Sequence, residues 1–214
     1  EHILRAEKFL NTYHSHDPQA NHETIIVCNG HPVTEEATYL FSSLPGLKMV
    51  EHDGSGRDIG AFQMCAKKFP CDMMVFFGGN TYIKCIGWLR RMIEAFNRYG
   101  DTLYGCMGNA GVPHVGVMPH IRTTGWWMSP SLLNKYPETI TDSGKNGQRY
   151  AFEHGANGLT SWIIQQGKYP IVVAYDGEYM LPSCDMIPNG YHQGDRSNLL
   201  VGDRMTQPPY YHCE

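Results

Sequence analysis

The chain is poor in charge. Asp, Glu, Lys and Arg make up only 18% of its 214 residues, against 42% hydrophobic, which is light for a globular surface. Solubility then rests on Asn, Ser, Thr and Gly, or on a partner or further domain of a longer chain. The start at Glu1 fits a trimmed fragment of that kind. With 17 basic and 21 acidic residues the formal net charge is −4, which argues against bulk binding of DNA or RNA by a dense cationic face. A single nucleotide needs only a few directed groups and is not excluded. No apolar run reaches the roughly 18 residues of a membrane span, and no signal-peptide pattern is visible at the start. Seven cysteines (Cys28, Cys65, Cys71, Cys85, Cys106, Cys184 and Cys213) are odd in number and scattered, without a C-x-x-C pair. That favours reduced thiols in a cytoplasmic compartment over a zinc ribbon or a disulfide framework. H-E-x-x-H, internal repeats, low-complexity tracts and a strong linker are also missing, so 1–214 reads as one domain.

What is present is an alternation of buried strands and amphipathic helices. TIIVCNG (24–30) is apolar on both faces and ends at Asn-Gly, as a strand of a covered parallel sheet does. Residues 34–44 predict a helix with Thr34 as N-cap and Glu35 and Glu36 at the positive end of its dipole. A second strand is expected at 47–51, a helix at 59–69, and the strongest buried strand at DMMVFFGG (72–79). WLRRMIEAFNRYG (88–100) carries one apolar stripe and a Gly100 cap. Strand and helix thus alternate three times in the first half, which predicts an α/β fold: a mostly parallel sheet with helices on both faces. The second half is less regular, with a short helix at 131–136, another within 150–167 and a strand at 169–175. After Asp176 the composition predicts an extended C-terminal tail lying over something. Residues 1–22 read as a short helix or an arm.

Ligands of such sheets sit at the carboxyl ends of the strands, here Asn29-Gly30, residues 51–58 and Gly78–Asn80. In EHDGSGRD (51–58), two glycines let backbone approach a ligand. Arg57 either pairs with a phosphate or is solvated. Asp58 either caps a helix or accepts from a ribose or base. The spacing is not the G-x-G-x-x-G of dinucleotide folds. Gly78 and Gly79 mark a tight turn or a place where a ligand comes close, and Asn80 can bond a phosphate or a sugar hydroxyl. In TTGWWMSP (123–130), Thr124 and Gly125 look like backbone under a ligand. Of Trp126 and Trp127, one is expected in the core and one, Trp126, beneath a sugar ring. FEHGANGLTSW (152–162) sets Glu153 and His154 at a helix start. There the carboxylate is either a base for a hydroxyl, with His154 as its alternative, or simply an N-terminal acid that suits the dipole. The tail offers Asp176, Glu178, Asp185, His192, Asp195, Asp203 and His212 as ligands for Mn²⁺ or Mg²⁺, or as solvated groups.

Taken together, these blocks resemble the glycosyltransferases of the GT-A fold. EHDGSGRDIGAF (51–62) resembles the G-R-D-I-G-A block of bacterial and viral polysaccharide-making members, whose acid contacts the nucleotide; this implies Asp58. CDMMVFFGGNTYI (71–83) resembles the strand leading to the D-x-D metal and diphosphate motif. TTGWWMSPSLL (123–133) resembles the donor-sugar and acceptor segment. FEHGANGLTSWIIQQG (152–167) resembles the block whose leading acid is the base of inverting members, which implies Glu153. The likeness runs in order over 24–175. It departs at D-x-D, where Gly78-Gly79-Asn80 stands. Metal would then be held by the diphosphate with a tail residue such as Asp195 or His212, or be dispensed with.

The resemblance implies a nucleotide-binding half at 24–100 and a donor-sugar and acceptor half at 101–214. It implies a nucleoside-diphosphate sugar as donor, by default a UDP-hexose, and a glycan or other hydroxyl acceptor. If the chain is viral, its compartment is the host cytoplasm. A non-catalytic carbohydrate-binding or assembly protein on a degenerate transferase fold stands as the alternative. A nucleotidyltransferase is a further one, although it should carry carboxylates at the central strand end.

Overall fold

A computed structural model describes residues 2–112, 114, 116–142, 144, 147–181, 196–204 and 206. The chain runs α1 (His2–Ser15), β1 (Ile25–Asn29), α2 (Glu35–Phe41), β2 (Lys48–His52), α3 (Arg57–Lys68), β3 (Met74–Phe77), β4 (Tyr82–Ile83), α4 (Trp88–Tyr99) and β5 (Tyr104–Gly105). It continues through β6 (Gly108–Asn109), β7 (His120–Ile121), β8 (Gly125–Met128), α5 (Pro130–Leu133), α6 (Gln148–His154), α7 (Leu159–Gln165), β9 (Ile171–Val173), β10 (Glu178–Met180) and β11 (Val201–Gly202). The helix ends follow local chemistry. The Thr34 hydroxyl accepts from the Ala37 N–H at 3.1 Å, capping α2. Ser129 caps α5 in the same way, with Pro130 in its first turn. Gly100 ends α4 at φ 76°, where a side chain would be strained.

The expected alternation is present, but the sheet is mixed rather than mostly parallel. β1 and β2 form a parallel pair of their own. The central sheet has the order β10-β9-β5-β8-β3. In it only β5 and β9 run parallel, while β8 is antiparallel to both β3 and β5. The reason is the connection into β8. The chain returns from β5 through the β6–β7 hairpin, without the crossover helix that a parallel neighbour requires.

Helices flank both faces of the central sheet. One core holds Ile59, Phe62 and Cys65 of α3, Leu132 and Leu133 of α5, Phe152 of α6 and Ile163 of α7. The other holds Leu10 and Tyr13 of α1 and Trp88, Leu89, Met92 and Ala95 of α4. Because strand side chains alternate, β8 sends Trp126 into the first core and Trp127 into the second. Trp126 is 1% exposed and Trp127 is fully buried. Trp126 stacks on Phe76 at 4.3 Å, and Trp127 on Tyr104 at 5.4 Å. The expectation of one tryptophan in and one out is therefore corrected: a strand covered on both faces has no outward side.

The described part of the tail is built into the fold. β11 pairs with β4, Leu199–Val201 are buried, and the Tyr175 N–H donates to the Asn198 carbonyl at 2.7 Å. Among the described residues no helix is long and apolar enough to cross a membrane.

Candidate functional site

A cleft of about 230 Å³ opens where β3 ends and β8 begins. Its walls are Asp58 and Ile59 of α3, the turn Gly78–Thr81, Arg122–Thr124 before β8, Arg149, Tyr150, Glu153 and His154 of α6, and Asp203 and Arg204. Antiparallel pairing of Phe77 with Gly125 sets the turn after β3 against the threonines before β8. The Thr81 hydroxyl donates to the Thr124 carbonyl at 2.7 Å, and the Thr124 hydroxyl donates to Asp203 Oδ2 at 2.8 Å. The Thr123 N–H and hydroxyl donate to Glu153 Oε1 at 3.0 and 3.2 Å. Three threonines thus tie strand ends, tail and helix together around the cleft.

Of the residues singled out from sequence, Asp58, Gly78, Gly79, Asn80, Thr124, Glu153 and His154 meet in this cleft. Asp58 lies in the first turn of α3, as expected, and pairs with Arg149 at 3.5 Å, each side chain about one-third exposed. Gly79 is exposed, and a Cβ there would meet nothing within 4 Å; at Gly78 it would meet only the Thr123 carbonyl at 3.9 Å. Neither has a positive φ, so the fold does not demand glycine at either position.

Others stand elsewhere. Arg57 is exposed and does not line the cleft. Asn29 is hydrogen-bonded to His52 at 2.9 Å. It lines a larger apolar groove between β1 and β3, which meets the cleft at Asp58, Gly78 and Gly79. Gly125 and Trp126 are buried, so Trp126 is a core side chain and not the floor of the cleft. Asp195 and His212 lie outside the described residues.

Glu153 and His154 also require a correction. They form the last turn of α6, not its start, because the helix begins at Gln148 and stops at Gly155. The helix dipole there favours cations, so the Glu153 carboxylate depends on the Thr123 donors instead. His154 Nε2 lies 3.8 Å from Glu153 Oε2, and His154 Nδ1 lies 3.2 Å from Nε2 of the buried His120. Ligand atoms of His120, Glu153 and His154 all fall within 4.8 Å of one another, a set that could hold a metal ion. Burial pushes both imidazoles below their ordinary value of 6.5, which leaves them as neutral donors of electron pairs.

His120, Arg122, Arg149 and Arg204 escaped the sequence reading. Arg149 carried a signal, since it precedes Glu153 by one helical turn in QRYAFEH and so shares its face. His120 and Arg122 flank a strand residue in PHIRTTG, with the alternation that turns both to one side.

No family model matches the chain, and no curated protein matches it. Among solved structures it is similar to HddC from Yersinia pseudotuberculosis. The identity is 13% and the TM-score 0.42, over 78% of this chain and 85% of that one. A second match is HddC from the same organism complexed with GMP-PN, at 11% identity and a TM-score of 0.38, over 68% of this chain and 65% of that one. At these values the likeness is distant.

Proposed function

We propose that the chain is a glycosyltransferase that moves a hexose from a nucleoside-diphosphate sugar, by default a UDP-hexose, to a hydroxyl of a glycan or other acceptor. One observation carries this reading. A single cleft joins a carboxylate held in place, Glu153, to the turn Gly78–Asn80 and to Arg122, Arg149 and Arg204. Guanidinium groups suit a diphosphate because they present paired donors and permanent charge. They take over the charge neutralisation that a D-x-D acid pair would arrange through metal. Mn²⁺ or Mg²⁺, when bound, would add Lewis-acid stabilisation of the leaving phosphate, and Asp203 is the carboxylate beside the turn.

In this reading Asp58 and the adjoining groove at Asn29 take the nucleoside, and Gly78–Asn80 the diphosphate. Glu153 Oε2 takes the proton of the acceptor hydroxyl. The acceptor oxygen then bonds to the anomeric carbon as the bond from that carbon to the diphosphate oxygen breaks. The nucleoside diphosphate leaves with the negative charge, held by the arginines. A single displacement of this kind inverts the anomeric centre, which NMR of the product tests directly.

The first experiment is a thermal-shift screen of nucleoside diphosphates and sugar nucleotides with and without Mn²⁺, since a ligand of the native state raises apparent stability. It is followed by donor hydrolysis. Release of nucleoside diphosphate that Glu153→Gln and Asp58→Ala abolish supports the transferase. Tight sugar binding without turnover, under varied metals and acceptors, overturns it in favour of a non-catalytic carbohydrate-binding protein.

A further inference from the structure

His120 and His154 meet in a way that fixes where their electron pairs point. His120 Nδ1 lies 2.7 Å from the Met118 carbonyl oxygen. A carbonyl only accepts, so Nδ1 carries the ring hydrogen and Nε2 is a bare lone pair. That lone pair faces His154 Nδ1 at 3.2 Å, and His154 Nε2 faces Glu153 Oε2 at 3.8 Å. If the hydrogen of a neutral His154 sits on Nδ1, its Nε2 turns a lone pair on a carboxylate. If it sits on Nε2, two imidazole lone pairs oppose each other. In both tautomers electron pairs converge between these three side chains, each of which offers one ligand atom within 4.8 Å of the others, and a shared cation can draw on them.

We propose that His120, Glu153 and His154 bind one borderline divalent cation, Zn²⁺ being the natural probe, with a remaining coordination position open to the cleft. Two nitrogens about 2.1 Å from one zinc at a tetrahedral angle stand about 3.4 Å apart, close to the 3.2 Å between His120 Nε2 and His154 Nδ1. Two imidazoles and one carboxylate suit Zn²⁺ and its first-row neighbours better than Mg²⁺. The outer partners are in place as well: the Met118 carbonyl orients His120, and Thr123 fixes Glu153 through two donors. The Glu153 and His154 side chains keep 19% and 20% exposure and both line the cleft, so a ligand can reach the ion from that side.

The site does not depend on the transferase reading, but one consequence does. With Oε1 committed to Thr123, the cation takes Oε2, the oxygen assigned above to the acceptor proton. Bound Zn²⁺ therefore slows transfer.

The test is calorimetric titration of Zn²⁺ into the full chain after stripping with EDTA, paired with the visible absorption of the Co²⁺ form. The site gives one tight Zn²⁺ per chain and the intense Co²⁺ bands of a four-coordinate centre. His154→Ala and Glu153→Gln, each checked for an unchanged circular-dichroism melt, each weaken binding at least about tenfold, since losing a ligand costs no less than losing its outer partner. His14→Ala leaves it unchanged. Affinity unaltered in both ligand variants, or a weak octahedral Co²⁺ spectrum in the unmutated chain, overturns the site. Donor turnover without Zn²⁺ binding sinks the site and spares the transferase. Stoichiometric Zn²⁺ binding without any turnover does the reverse.

Discussion

Thr123 donates twice to one atom of Glu153: its backbone N–H and its hydroxyl both reach Oε1, at 3.0 and 3.2 Å. This arrangement leaves Oε2, 3.8 Å from His154 Nε2, as the oxygen that the proposed transfer would use. Glu153→Gln should lower transfer by about 10²–10⁴ while donor affinity stays near its original value. Thr123→Val keeps the backbone donor and loses the hydroxyl. It should lower kcat by about tenfold with donor KM unchanged, because the carboxylate is less firmly aimed. Steady-state kinetics of the two variants check both outcomes; a Thr123→Val effect confined to KM would remove its positioning role.

The Asp58–Arg149 pair spans the cleft from α3 to α6 at 3.5 Å. With both side chains about one-third exposed, the pair contributes about 0–1 kcal/mol to stability. The proposed function gives the pair a role in ligand binding instead. Arg149→Ala should leave the melting temperature within a degree or two, on the order expected for a surface pair. It should weaken nucleoside-diphosphate binding about tenfold and flatten its salt dependence. Calorimetry at two ionic strengths reads both effects.

The elements whose signals are local were legible in the sequence. Thr34 announced α2, Gly100 the end of α4, and the apolar run at 74–77 the strand β3. Strand direction was not legible, because nothing in the residues of β8 says that its connection from β5 lacks a helix. Of the residues that line the cleft, Asp58, Gly78–Asn80 and Thr124 stood out in the sequence, where a helix start and strand ends mark them. It was misread at Glu153, where the start of α6 at Gln148 carries no side-chain cap to reveal it. His120 was invisible. Its partners Glu153 and His154 lie more than thirty residues away, and only the fold brings them together.

Trp126 separates a core role from a ligand role. It is 1% exposed and stacked on Phe76, so Trp126→Ala should cost about 3–5 kcal/mol of stability. The more conservative Trp126→Phe should stay folded and bind donor with unchanged affinity. Urea denaturation and a donor titration give the two readings. A loss of donor affinity in a stable Trp126→Phe chain would return this side chain to the site.

Cys65 is buried in α3, and burial pushes its thiol up to about 11 from an ordinary 9.0. The unfolded chain therefore releases this proton at a lower pH than the folded one. The stability contribution is intact below pH 9.0 and is lost as pH rises toward 11. Urea midpoints should fall across that window, and Cys65→Ala should make the fall shallower by up to about 1.4 kcal/mol per pH unit, the value for one proton. At pH 8, iodoacetamide should modify the exposed Cys71 well before Cys65, which mass spectrometry of digests resolves.

Gly79 gives the sharpest test of the cleft, because fold and function pull apart there. Its φ is not positive, and a Cβ at this position would meet nothing within 4 Å. Gly79→Ala should therefore leave stability unchanged or raise it by about 0.4–1 kcal/mol, since alanine has less conformational freedom to lose on folding. The added methyl would project into space that the proposed diphosphate needs. Donor binding should fall about tenfold or more while Zn²⁺ affinity at His120, Glu153 and His154 is retained. Thermal melts, donor titration and Zn²⁺ titration on this variant read the three expectations separately. A stable Gly79→Ala chain with full donor affinity would mean that the turn after β3 does not receive the diphosphate, and that the arginines of the cleft serve some other anion.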